Sequence, residues 1–300
     1  MDFDAGLSWA SATLRLATPL IFACLAGLWS ERSGVVDVGL EGKMLAGAFA
    51  GAAAASLTGD VRYGFAAAVA ASLAFAMAQA YAEIECGGDQ IVCGMAINMI
   101  GAGLTAFLGA AIFGEGGRTP ALRAAERIEP IVAGQDALTL LAFVAVAATS
   151  IAFSRTRFGL RVLAAGENPL ALDAAGGSVR ATRYRAIAIC GILCGLAGAD
   201  LSLAQAAGFL PNMTAGKGFI ALAALIFAKW RPGGCLGACL LFGALDAIAI
   251  RAPDAALPGV GVIPVQAFQA LPYVLTVALL AGFVGRARPP AAAGVPYRRE

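Results

Sequence analysis

The chain has 300 residues, 60% hydrophobic and only 13% charged, with 38 glycines and a formal net charge of +2; its mean hydropathy is +0.80. This composition excludes an ordinary soluble globular domain and predicts an integral membrane protein. Histidine is absent, which removes the commonest general base and proton relay and weakens any reading as an enzyme.

A transmembrane helix needs about 20 mainly apolar residues. Such windows recur at roughly 10–29, 41–58, 62–82, 91–113, 136–153, 184–206, 208–228, 233–250 and 265–284. They lack strand-like alternation, so the expected fold is all-α and polytopic: about nine transmembrane helices, some broken or re-entrant, in a single domain over residues 1–300. The first window is expected to be retained as a span. Alanine and glycine crowd the windows, as in AGAFAGAAAA (46–55), and small residues let helices pack closely in lipid.

Following the chain, the first break in this pattern is SERSGVVDVGLEGK (30–43). It places Glu31, Arg32, Asp37, Glu41 and Lys43 between two windows. Glu41 and Lys43 stand at the mouth of the second, where a charge normally pairs or faces water; an ordinary solvated turn is the alternative. Asn98, in the fourth window, is a candidate either to bind a solute or to pin two helices together. The loop 114–135 mixes charges of both signs.

GENPLALDAAGG (166–177) reads as a short capped helix. Asn168 suits the N-cap and Pro169 the first helical position, Glu167 adds negative charge near the start, and Gly176 or Gly177 supplies a stop. About two turns result, too few to stand alone in water. Leu170, Leu172 and Ala175 are expected to face a partner, with Asp173 in the interior of the helix. The alternative is a turn lying on lipid headgroups.

The second break is GFLPNMTAGKG (208–218). Too few residues separate Arg185 from Lys229 for this cluster to lie outside the membrane, and irregular backbone at that depth is tolerated only in protein or beside a wet cavity. Asn212, Thr214 and Lys217 are therefore candidates to face a solute pathway. The seven cysteines, two pairs of them spaced i, i+4, read as packing residues rather than a metal site. Basic residues concentrate at 155–185, 229–231 and in the tail 285–300. These segments are expected to be cytoplasmic, which puts the C-terminus inside and, with nine spans, the N-terminus outside.

Three blocks, Leu14–Phe49, Thr156–Val179 and Met213–Gly234, together resemble the permease subunits of bacterial ABC importers in the branched-chain amino acid and ribose permease superfamily. More narrowly, the chain is similar to the smaller permease of nucleoside and simple-sugar systems. The resemblance implies location in the bacterial inner membrane and transport of nucleosides or related purines, or of a simple sugar such as ribose. It implies partner ATP-binding-cassette subunits that carry the ATP and Mg, a second, larger permease subunit, and a substrate-binding protein or lipoprotein. It makes 155–183 the coupling segment, with Glu167, Asn168 and Pro169 in its motif. Asp37 stands where the family usually has Asn, and Lys43 where an apolar residue is usual. No GxxxxGK[ST] motif occurs, so no cofactor is expected in this chain and ATP hydrolysis falls to another. Nucleic acid is not an expected partner. An ion-coupled secondary transporter is the alternative from another class, and it would favour an ionisable residue mid-span.

Overall fold

The computed structural model describes residues 3–114, 116–129, 131, 134–251, 256–257, 261–262, 274 and 288–297. Its helices are α1 (Phe3–Arg32), α2 (Leu40–Thr58), α3 (Val61–Ala80), α4 (Gln90–Phe113), α5 (Ala137–Arg155), α6 (Arg157–Glu167), α7 (Pro169–Ala174), α8 (Val179–Ala199), α9 (Lys217–Phe227) and α10 (Pro232–Arg251). Two of them run on into π-helical turns, α3 through Tyr81–Glu85 and α8 through Asp200–Gln205. A two-residue antiparallel pair, β1 (Ala256–Leu257) and β2 (Gly261–Val262), is the only strand structure among the described residues.

Among the described residues, six helices are long and apolar enough to cross a membrane: α1, α3, α4, α5, α8 and α10. The second and seventh predicted spans differ. Glu41 and Lys43 lower the apolarity of α2, and α9 has only 11 residues because the chain from Ala206 to Gly216 is irregular. The ninth predicted span, 265–284, lies outside the described residues apart from residue 274. Helices α1 and α8 form the buried centre, packed on each other and flanked by α2, α3, α9 and α10. Helices α4 and α5 turn Met99, Phe107, Val144 and Ile151 outward, as a lipid-facing surface requires.

Close approach rests on missing side chains. A Cβ on Gly101 of α4 would lie 2.8 Å from the Cα of Gly42 in α2, and one on Gly198 of α8 would lie 2.5 Å from the carbonyl oxygen of Met44. Lipid gives helices no hydrophobic reason to associate, so this contact area is the main source of cohesion.

Pro19 sits inside α1 and leaves the carbonyl of Arg15 without its helical donor. Gln205 fills the gap: its side-chain amide donates to that carbonyl at 2.8 Å and to Asp200 Oδ2 at 2.7 Å. The irregular backbone after α8 is satisfied in the same way by the loop between α4 and α5. Thr119 and Leu122 donate to the carbonyls of Phe209 and Ala207, Ile128 donates to Leu203, and Phe209 N–H donates to Thr119 Oγ1 at 2.8 Å. Backbone at this depth must find such partners within the protein.

Candidate functional site

Most helices here begin with a cap written next to them in the sequence. Asp60, Asp89, Asp136, Thr156, Asn168 and Ser178 each accept a hydrogen bond from the first turn of the helix that follows. Helices α2 and α9 follow Gly39 and Gly216 and have no side-chain cap of their own. Their free amides are met from elsewhere in the chain. Asn98 Oδ1 accepts from Gly42 N–H at 2.7 Å while its amide donates to the Val38 carbonyl at 2.9 Å. Glu41 accepts from Gly216 and Gly218 at 2.8 and 2.7 Å. One carboxylate in the first turn of α2 therefore also serves the start of α9, where two positive helix ends meet inside the bundle.

Beneath this junction lies an ion pair with no solvent. Lys43 is fully buried and Asp37 is 1% exposed. Lys43 Nζ donates to Asp37 Oδ2 at 2.5 Å, and the Cys190 thiol donates to the same oxygen at 3.0 Å. Asp37 Oδ1 accepts from Gly39 N–H and from the Gln79 amide at 3.0 and 3.2 Å. Gln79 also donates to Glu83 Oε1 at 2.7 Å, which brings the π turn of α3 into the cluster. Cys190 is about two turns along α8 from Arg183, whose Nε donates to the Ser33 carbonyl. The segment 33–39 thus dips roughly 10 Å into the bundle from the end where α1 stops.

Five of the six residues predicted for a solute pathway gather around this junction. Glu41, Lys43 and Asn98 are tied as described, Thr214 is buried, and Lys217 pairs with Asp246 at 3.3 Å. Asn212 is exposed on the irregular segment, in the left-handed backbone region at φ +56° together with Ala207 and Ala215. The sequence reading did not single out Gln79 and Glu83. Their signal was an i, i+4 polar pair at the end of an apolar window.

The predicted coupling segment has a different character. Asn168 accepts from Ala171 N–H at 3.1 Å, Pro169 is the first helical residue, and Gly176 at φ +79° closes the helix. Bonds from Gly176 to Asp173 and from Gly177 to Leu172 complete the stop. The helix has six residues, about two turns as expected, and Glu167 ends the preceding amphipathic α6. One point differs from expectation. Leu172 does not face outward: it is buried against Ala165 and Val179, while Leu170 remains 66% exposed. Asp173 is half-buried and lines a cavity of about 520 Å³ with Glu85, Arg180, Arg183 and Tyr297. At the same end of the bundle, Glu31 accepts from the Trp230 indole at 2.5 Å and Arg32 donates to the Trp230 carbonyl at 2.9 Å. Arg32 also reaches Glu167 at 3.6 Å.

Comparison with known proteins gives this geometry a setting. The chain is 38% identical to the guanosine ABC transporter permease protein NupQ of Bacillus subtilis, over 95% of each chain. It is 36% identical to the nucleoside ABC transporter permease protein NupC of Lactococcus lactis, over 94% of this chain and 93% of that one. TsgC13 of Haloferax volcanii, provisionally assigned as a glucose ABC transporter permease, is 35% identical over 93% of this chain and 92% of its own. A solved structure described as an inward-facing metal-chelate-type ABC transporter shares the fold, with a TM-score of 0.53 at 17% identity, covering 91% of this chain and 84% of that one. The family model for the permease component of branched-chain amino acid transport systems matches residues 10–283. The chain belongs to that family: it is a multi-pass membrane permease subunit of an ABC transporter, a transport component and not an enzyme.

Proposed function

We propose that this permease imports nucleosides or related purines by alternating access, driven by separate ATPase subunits that hold the ATP and Mg. The observation that carries the substrate class is end-to-end similarity to two permeases named for guanosine and nucleosides. A simple sugar is the second reading, supported by the relative assigned to glucose. Helix α7 is the element that docks on the ATPase. It is short, self-capped, exposed at Leu170 and flanked along the sequence by Arg155, Arg157, Arg161, Arg180 and Arg185. Those arginines support a cytoplasmic position for its end of the bundle in a bacterial cell, with the start of α1 outside. A second, larger permease subunit and a binding protein or lipoprotein complete the importer.

In this reading the junction between α2 and α9 forms the wall of the solute pathway. Glu41, Lys43 and Asn98 are engaged with their own chain, as is Lys217 through Asp246, so they shape the wall, and exposed Asn212 is left to meet the solute. Three residues held in the left-handed region mark the segment 206–216 as the place where the wall bends. Uptake of labelled guanosine, inosine, ribose and glucose by cells lacking and then regaining this gene tests the substrate. Restoration of nucleoside uptake alone is the expected result; restoration of sugar uptake alone replaces the first reading with the second. For α7, Asn168→Ala with Pro169→Gly, and separately Asp173→Lys, are expected to abolish uptake without loss of membrane insertion. Unchanged uptake in both rejects the docking role.

A further inference from the structure

The segment 288–297 folds back on the coupling segment. Ala292 N–H donates to the Gly166 carbonyl at 2.8 Å, at the joint between α6 and α7, and Ala291 N–H reaches Glu167 Oε2 at 3.4 Å. Pro290 and Ala292 are buried there. Further along, Arg183 Nη1 donates to the Val295 carbonyl at 3.4 Å. The ring of Tyr297 packs on the cluster of Ala165, Leu172 and Val179, which is the inner face of α7. One ten-residue stretch thus touches the end of α6, the buried side of α7 and the first turns of α8.

A helix of six residues has no stability of its own. Besides Asn168, its anchor is the side chain of Leu172, and among the described residues Tyr297 comes from the part of the chain most distant in sequence that packs on the cluster holding that anchor. The strap also meets the segment that leaves the end of α1: the Ala292 carbonyl would lie 3.3 Å from a Cβ on Gly34, where φ is +88° and only glycine fits easily. It leaves Leu170, Ala171 and Ala174 exposed, the side open to a partner.

We infer that residues 290–297 are a positioning strap for α7: they hold it at a fixed angle to the bundle, so that movement imposed on α7 passes to α1 and α8 instead of being lost as local rocking. Tyr297, Ala292 and Arg183 are positioning residues in this scheme and touch no solute. The inference rests on α7 being the ATPase-docking element.

The test uses the whole importer, reconstituted with its ATPase in lipid vesicles. It compares the full chain with one lacking residues from Pro290 onward and with Tyr297→Ala and Tyr297→Phe. The readouts are amide exchange in 164–177, ATPase co-purification, and solute taken up per ATP hydrolysed. Loss of the strap is expected to speed exchange in α7 about fivefold, the change in a local opening equilibrium that one hydrogen bond of typical strength accounts for. Uptake per ATP is expected to fall by about the same factor with ATPase still bound. Tyr297→Ala should move both readouts in the same direction, and Tyr297→Phe, which keeps the ring, should restore them. A truncated chain with lower thermal stability but unchanged uptake per ATP overturns the inference, since that is what a purely structural tail does. If Asn168→Ala lowers uptake per ATP and the strap variants do not, the strap fails and the docking role of α7 stands. If Asn168→Ala with Pro169→Gly leaves it unchanged as well, the docking role has failed and the strap proposal falls with it.

Discussion

Helices α7 and α9 are both short, and both start at a break in an apolar chain, yet they are held in opposite ways. Helix α7 carries its cap beside it, Asn168, and its stop, Gly176, so its ends are satisfied within a dozen residues. Helix α9 starts at Lys217 with no cap of its own, and the preceding Gly216 takes its acceptor from Glu41, 175 residues earlier. A local cap lets an element stand clear of the protein and meet a partner. A remote cap locks two elements to each other and suits a wall inside the bundle. The same residue chemistry, a carboxylate or amide accepting from backbone N–H, therefore marks a surface device in one place and an interior joint in the other.

The largest contrast should appear on removing one charge from the interior. Lys43→Met leaves Asp37 buried with only neutral donors, and is expected to cost about 3–5 kcal/mol, the usual penalty for an orphaned buried charge. The double change Asp37→Asn with Lys43→Met removes the charge as well as the pair, and should recover most of that stability because the cavity stays filled. Thermal unfolding of the two variants in detergent decides it. If the double variant is as unstable as the single, the pair is valuable for more than mutual neutralisation.

Next in size is Glu41→Gln, which keeps one acceptor oxygen but loses the charge facing two helix starts. Two charge-assisted bonds become at most one neutral bond, for an expected loss of about 2 kcal/mol. Because Gly218 lies so close that a Cβ would sit 2.5 Å from Glu41 N, Gly218→Ala should disturb the same joint by sterics alone. Agreement between the two variants in both stability and uptake would identify the joint, rather than the charge, as what transport needs.

These joints also show what the sequence made legible. The apolar windows located α1, α3, α4, α5, α8 and α10, because a run of about 20 apolar residues has few alternatives in lipid. The cap and stop of α7 were readable because their physics is confined to neighbouring residues. Glu41 and Asn98 could be recognised as out of place but not assigned partners, since nothing near them in the sequence specifies the starts of α9 and α2. Gln79 and Glu83 passed unnoticed at the end of an apolar window, because Gln79 alone dilutes its average only slightly and Glu83 falls just past it. The inward face of Leu172 was missed for a related reason: its neighbours Val179 and Tyr297 come together only once the chain folds back.

A smaller effect is expected at the surface. Asn168→Ala removes one cap and should cost about 1 kcal/mol, confined to α7. Global unfolding should hardly shift, since the rest of the bundle does not depend on six residues, while amide exchange in α7 rises and uptake falls. A variant that lowers global stability as much as Glu41→Gln would erase the distinction between a locally held and a remotely held helix.

The smallest effect belongs to Arg180, which is 67% exposed in its side chain and pairs with Glu85. Solvent screens such a pair, and Tyr184 already donates to the same carboxylate oxygen at 3.0 Å. Arg180→Ala should therefore change stability by no more than about 0.5 kcal/mol. Arg180 and Asp173 nevertheless line the same cavity beside α7. If Arg180→Ala weakens ATPase co-purification while leaving unfolding unchanged, the residue acts on the partner and belongs with the exposed face of α7; if neither moves, its pair with Glu85 is surface decoration and the docking face ends at α7 itself.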